Sequence, residues 1–267
     1  MISKPGFPVE GLIDAHCHLA DPRLDGMRAD LLARAHRAGI SAFLQGGVDP
    51  EDWARQRRLA GPGWQLCFGL HPWFVAEADG AQCERALAQL ETLLPEATAL
   101  GELGLDHAPR FSRHSYSRQA HFFQAQLTLA VNLAKPLVLH VVRAHPDALR
   151  TLSKTADTWR GIVHGFTGSY EIARDYQGLG LLISIGPAVL RPGFKKVKAA
   201  LSRIPLDGLV VESDAPDGPP HVAGRPFNEP DVLWRVAEVV AAAHDCDAAT
   251  VLQASRTNLL RAFAEVA

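Results

Sequence analysis

Two histidines one residue apart, His16 and His18, close the short apolar run G-L-I-D-A-H-C-H-L from Gly11 to Leu19. On a β-strand, side chains at i and i+2 share a face. Both imidazoles then leave the strand side by side, as a metal ion requires, and Cys17 points the other way. Asp14 falls on the same face by the same count, either behind the pair or buried and paired. An H-x-H pair alone is a moderate signal, because solvated or hydrogen-bonded histidine pairs arise by chance. Its weight grows because later apolar runs end in the same kind of residue: Glu102 after A-T-A-L-G, His140 after P-L-V-L, His164 after G-I-V and Asp214 after G-L-V-V-E-S. Taken singly, each has a bland explanation: an arginine partner for Glu102, a core hydrogen bond for His164, a turn cap for Asp214. Six metal-capable side chains at equivalent strand ends do not.

Four imidazoles and two carboxylates exceed what one tetrahedral ion needs. They suit two divalent ions sharing a bridging carboxylate. Imidazole-rich ligation favours zinc or manganese, or iron or nickel, over the all-oxygen preference of magnesium, which stays on the list of candidates. Two ions about 3.5–4 Å apart activate a water and stabilise a leaving oxygen. Asp214 is then the candidate to hold that water and take its proton, with Glu102 beside it in the catalytic set. There is no G-x-S-x-G elbow, P-loop or H-E-x-x-H, so serine and P-loop chemistries have little support.

The elements that must position these residues alternate along the chain. Apolar runs predict strands at 12–18, 40–47, 65–72, 97–106, 136–142, 161–168, 181–187 and 208–216. Between them lie helical patterns at 26–38 (ended by Gly39 in the C′ role), from the Asp49-Pro50 cap through Trp53 and Leu59, and at 82–94, 117–133, 146–154, 170–176 and 194–204. Two more close the chain at 230–243 and 248–264. Eight strands, each followed by a helix, in one domain over 1–267, predict an α/β fold of the (β/α)8 TIM-barrel type, whose active sites sit at the C-terminal strand ends. An open doubly wound sheet is the rival, but the Gly-rich phosphate loop expected after its first strand is missing.

Composition is that of a soluble globular protein, 47% hydrophobic and 21% charged. The formal net charge of −2 gives no overall attraction for nucleic acid, so DNA as a substrate has to be held locally. The four cysteines, Cys17, Cys67, Cys83 and Cys246, show no C-x-x-C spacing and read as reduced thiols. No secretory signal, membrane span or obligatory protein partner is evident, and a cytoplasmic location is expected.

Taken together, IDAHCHL, GLHPW, ALGELGLD, RQAHFFQAQLTLAVNLAKP, LVLH, HGFTGS and VVESDAP resemble the TatD family of metal-dependent hydrolases, within the amidohydrolase-like barrels. The match runs in the family's order from Leu12 to Phe263. The resemblance implies one ion on His16, His18, Glu102 and Asp214 and another on Glu102, His140 and His164. It implies phosphodiester hydrolysis by metal-activated water, in a deoxyribonuclease of the 3′–5′ exonuclease kind acting on single strands. Some members are related to deacylation of mischarged tRNA, so a metal-dependent esterase or D-aminoacyl-tRNA deacylase is the alternative. A non-catalytic metal or nucleic-acid binding protein is the alternative of another class.

The chain departs from the family at two points. Many members carry arginine two residues after the strand-five histidine; here that place is Val142, and Arg143 follows it. Many have an aromatic residue after G-L-D, where this chain has His107. His71 and Arg143 are the candidate substrate contacts. Trp73 either stacks on a base or packs in its loop, and Lys195, Lys196 and Lys198 read as a solvated helix face. His36, His114, His121 and His244 lie in helical or surface-like stretches and read as non-ligands.

Overall fold

The computed structural model describes residues 10–218 and 224–264. Its strands are β1 (Leu12–Cys17), β2 (Ile40–Gln45), β3 (Trp64–Gln65), β4 (Cys67–Phe68), β5 (Ala99–Asp106), β6 (Leu137–Val142), β7 (Gly161–Val163), β8 (Leu182–Ile185) and β9 (Leu209–Val211). All pairings are parallel, in the orders β1-β2-β3 and β4-β5-β6-β7-β8-β9. β3 and β4 are two halves of one stave, interrupted at Leu66, so the staves number eight. Backbone bonds join the ends of the series: the Asp214 amide donates to the His16 carbonyl at 2.9 Å and the His18 amide to the Ala215 carbonyl at 2.6 Å. The result is the (β/α)8 barrel that the alternation predicts.

The helices are α1 (Arg28–Arg37), α2 (Pro50–Leu59), α3 (Pro72–Glu77), α4 (Gly80–Leu93), α5 (His114–Asn132), α6 (His145–Thr155), α7 (Tyr170–Gly178), α8 (Lys195–Leu201), α9 (Leu233–His244) and α10 (Ala248–Phe263). Local chemistry sets their ends. Asp49 accepts from the Asp52 amide with Pro50 in the first turn, and Gly39 takes the left-handed φ of 84° after α1. α3 has no counterpart in the sequence reading, which placed strand up to Pro72. The His71 ring caps it, accepting from the Trp73 amide at 3.0 Å.

Two apolar layers form. One lies between staves and helices; the other fills the barrel with Ile13, Ala15, Ala42, Leu44, Cys67, Ala99, Val138, Ile162, Leu182 and Val210. Leu259, Ala262 and Phe263 of α10 join the inner layer. Two residues further along each strand, the period-two rule puts His140 above Val138, His164 above Ile162, Ser184 above Leu182 and Glu212 above Val210. A polar layer therefore sits on an apolar one inside the same barrel.

The two remaining site strands are irregular at the candidate residue itself. Register shifts fall between Asp14 and Cys17 in β1 and between Gly101 and Leu103 in β5. Ile13 and Ala15 face the inner layer while Cys17 faces the outer one. Asp14 therefore does not share the histidines' face, as strict alternation predicts. It is buried against the closing stave, where it accepts from the Ser213 amide at 2.9 Å and from the Ser213 hydroxyl. Among the described residues no helix is long and apolar enough to cross a membrane.

One outer contact bears on how stability depends on pH. His145, opening α6, bonds through Nδ1 to the buried Tyr176 hydroxyl of α7 at 3.1 Å. Burial pushes its imidazole from 6.5 down to about 4. The unfolded chain binds this proton first, so the contact's stability is full above about 6.5 and lost as pH falls towards 4. The shift corresponds to roughly 3 kcal/mol. His145→Gln should therefore reduce the loss of stability between pH 7 and pH 4 by roughly that amount. Urea unfolding of both proteins at the two pH values measures it, and parallel pH dependences would show that another group carries the acid sensitivity.

Candidate metal centre

Glu102 stands at the middle of the barrel mouth, buried, with its two oxygens facing different partners. Oε1 lies 3.2 Å from His18 Nε2 and 3.6 Å from His16 Nε2. Oε2 lies 2.6 Å from His164 Nε2 and 3.3 Å from His140 Nδ1. Asp214 completes the first group, with Oδ1 3.7 Å from both His16 Nε2 and His18 Nε2. Within the groups, His16 and His18 Nε2 are 3.2 Å apart, and His140 Nδ1 and His164 Nε2 are 2.9 Å apart. The structure thus gathers all six residues that the strand ends pointed to, although His18 and His164 lie one residue, and Asp214 three, beyond their strands.

The charges explain why the cluster holds together. Burial pushes His16 well below its ordinary range, helped by the neighbouring His164, so its ring is neutral. Burial also acts on His18, but the nearby charges of Glu102 and Asp214 outweigh it and raise the ring to about 10. Burial alone would lift Glu102; the imidazoles of His164, His16, His71 and His18 hold it well below the carboxylate range. Asp214 is raised by burial to about 7. Its backbone has φ 54°, the left-handed region where a non-glycine residue is uncommon and often functional.

Behind these six stand groups that the sequence reading did not single out. Asp106 accepts from Trp73 Nε1 at 2.6 Å and lies 3.4 Å from His140 Nε2. Burial opposes its charge, but the hydrogen bonds from His140 and Trp73 bring it down to about 2. Its bond to Nε2 turns His140 Nδ1 towards Glu102. Glu212, fully buried, accepts from the Gly165 amide at 2.6 Å and from the Ser184 hydroxyl, and lies 3.8 Å from His164 Nδ1. Both had a signal in the sequence: Asp106 is four residues after Glu102, and Glu212 two before Asp214.

His71 enters the cluster differently. Its Nε2 is 3.6 Å from Glu102 Oε2. Because its Nδ1 accepts from the Trp73 amide, the neutral ring carries its proton on Nε2. Burial and the adjacent His140 keep it neutral, lowering it to about 4. So protonated, Nε2 is a donor facing the site and not a lone pair for a cation. Arg143, on the rim, is exposed at φ 56° directly after β6 and makes no hydrogen bond or ion pair among the described residues.

Do these residues fit a metal? Three buried atoms of the cluster, His16 Nδ1, Glu102 Oε1 and His164 Nδ1, have no hydrogen-bond partner. The groups His16–Glu102–His164, His16–His18–Asp214 and His71–Glu102–His140 each converge closely enough to hold an ion, although the His71 tautomer disfavours the last. Gly46 lines the cradle: a Cβ there would sit 2.5 Å from His18 Cε1, 2.6 Å from His16 Cε1 and 2.8 Å from Glu102 Oε1. Converging imidazoles with shared carboxylates are the donor set of a first-row divalent cation, so the site fits one.

A model of the family described as TatD related DNase matches residues 13–264. The chain belongs to the TatD family. It is 32% identical to the metal-dependent hydrolase YjjV of Escherichia coli, over 94% of this chain and 97% of that one. The crystal structure of YjjV superposes with a TM-score of 0.83, covering 96% of this chain and 98% of that one at 30% identity. A 3′–5′ ssDNA/RNA exonuclease TatD from Edwardsiella piscicida is 31% identical, over 94% and 99% of the two chains. As a TatD-type protein, this chain is a metal-dependent hydrolase, and the converging imidazoles are its candidate metal centre.

The cradle gives a direct test. Gly46→Ala should keep the circular dichroism spectrum while metal affinity falls about 10–100-fold, the scale of disturbed ligand support. Metal analysis after dialysis reads this, and undiminished metal content would show that the ligands do not close on Gly46.

Proposed function

We propose that this TatD-family chain is a two-metal deoxyribonuclease of the 3′–5′ exonuclease kind, cleaving phosphodiester bonds of single strands. The observation that carries the reading is the division of Glu102: one oxygen towards His16, His18 and Asp214, the other towards His140 and His164. In this reading the first set would hold one ion and the second set the other, with Glu102 contributing an oxygen to each. Charge supports the number. Among the described residues, the carboxylates within 4 Å of those imidazoles are Glu102, Asp106, Glu212 and Asp214, four carboxyl groups for two divalent cations. The donor set favours zinc or manganese, with magnesium as the remaining candidate. The substrate class is supported by relatives named 3′–5′ ssDNA/RNA exonuclease TatD and by the human protein named deoxyribonuclease TATDN3, 28% identical over 95% of this chain. The four unpaired cysteines, three of them buried, are in keeping with a cytoplasmic protein.

When bound, such an ion pair polarises the phosphoryl oxygens and lowers the pKa of water. The chain's own residues do the rest. Asp214, partly open at the mouth and held near neutrality by burial, receives a proton from the attacking water. Glu102 holds the two imidazole groups at a fixed separation. His71 offers its Nε2 proton to a phosphate oxygen, and Arg143 supplies a positive charge beside it. One P–O ester bond breaks as the bond to the water oxygen forms, and the leaving sugar oxygen takes the proton that Asp214 received from the water.

Asp214→Asn should lose about 10²–10⁴-fold in turnover of single-stranded DNA while retaining most of its metal. Glu102→Ala should no longer retain the pair of ions. Rates on single-stranded DNA, an aryl phosphodiester and D-aminoacyl-tRNA, with zinc, manganese or magnesium restored after chelation, test the assignment. Metal-dependent activity confined to the aminoacyl ester would replace the nuclease reading with a deacylase one, and DNA binding without turnover in the parent would replace it with a binding protein.

A further inference from the structure

Most arginines near the mouth already have acidic partners. Arg23 bonds to Asp21 and Asp217, Arg28 and Arg55 to Asp25, and Arg225 to Asp231. Arg110, in the loop between β5 and α5, is different. Its guanidinium lies over the Trp73 ring at 3.9 Å and over the Phe111 ring at 4.7 Å. It makes no hydrogen bond among the described residues, and its side chain is 54% exposed. Its ion-pair partner Asp106, at 3.7 Å, is also engaged by Trp73 Nε1 and His140 Nε2. A planar cation is thus held against two aromatic rings with no hydrogen bond spent, and the Trp73 ring beneath it lies 5.8 Å from the His140 ring. Stacked guanidinium groups lose little entropy on binding and pair with phosphate bidentately. Beside it is a shallow depression of about 370 Å³, lined by Ala76, Glu77, Arg110, Phe111, Ser112 and Ser115. An uncharged base suits that depression better than a second phosphate would, because Glu77 is its other charged group.

We propose that Arg110, resting on the Trp73 and Phe111 rings, binds the phosphate next to the one being cleaved, with the adjoining nucleoside over the depression. The proposal rests on the phosphodiesterase reading and assigns to it a neighbouring-nucleotide subsite. A lone diester, with no flanking phosphate, makes little use of this contact. The sequence gives Arg110 no special standing, since it lies four residues after the G-L-D motif and in no family signature quoted above.

The test compares the metal-loaded parent with Arg110→Gln and Arg110→Lys on single-stranded oligonucleotides and on bis(p-nitrophenyl) phosphate. Arg174→Gln, an exposed arginine on α7, is the surface-charge control. For Arg110→Gln, kcat/KM on the oligonucleotide should fall about tenfold more than on the aryl diester, mainly through KM. Binding of a phosphorothioate-protected oligonucleotide, followed by fluorescence anisotropy across a salt series, should lose about 0.7 from its log–log slope, one phosphate contact on a single strand. Arg110→Lys should keep the slope and lose part of the affinity, because it has the charge without the stacked plane. Equal losses on both substrates, or an unchanged slope in Arg110→Gln, would overturn the subsite. A parent that cleaves neither substrate would instead overturn the phosphodiesterase reading itself.

Discussion

A carboxylate taken out of water needs its charge answered on every side, and in this protein that carboxylate is Glu102. Five imidazoles answer it, His16 and His18 at Oε1 and His71, His140 and His164 at Oε2, drawn from the ends of β1, β6 and β7 and from the turn that opens α3. This one requirement fixes the relative positions of β1, β5, β6 and β7. Each histidine must in turn be oriented, which explains the second ring of acids. Asp106 aligns His140, Glu212 faces His164, and Asp14 ties the first stave to the last through Ser213. Asp14 is raised by burial to about 8, and its carboxyl is turned to Ser213 and the His16 amide.

The barrel is polarised to suit. Its lower interior is plugged by apolar side chains from the staves and by the end of α10. Its upper interior is almost wholly polar. Water and a charged substrate therefore have one approach, and the low-dielectric floor strengthens whatever electrostatic interaction is made above it. Glycines let the layers approach. At Gly46 a methyl group would displace two imidazoles and a carboxylate at once, and Gln56 of α2 holds that segment by donating to the Gly46 carbonyl and accepting from the Cys67 amide. Gln56 thereby spans the join between the two sheets, where ladder pairing is interrupted at Leu66.

Much of this architecture was legible in the sequence because parallel strands buried on both faces leave a plain signature. His140 and His164 stand two residues after interior Val138 and Ile162, so counting by twos finds them. The same counting misplaces Asp14 and could not foresee how Glu102 turns inward, because β1 and β5 each carry a register shift at the candidate residue. A bulge depends on the partner strand, and its signal is not confined to the strand's own residues. Counting by twos also points to Glu212, which the reading passed over in favour of the more prominent Asp214 at the loop. α3 was missed for a related reason: its first turn is capped by a histidine ring, which no list of ordinary capping residues includes.

A net charge of −2 gives the chain no general attraction for anions, but its cationic groups are not spread evenly. Around the loops that follow β1 and β9, arginines are neutralised by acids and stabilise the rim. Next to β5 and β6, Arg110 and Arg143 carry charge that no hydrogen bond within the described residues uses. Attraction is then concentrated on one side of the mouth, beside the imidazoles, where low-dielectric walls focus it. The imidazoles beside it are themselves largely buried within the barrel mouth.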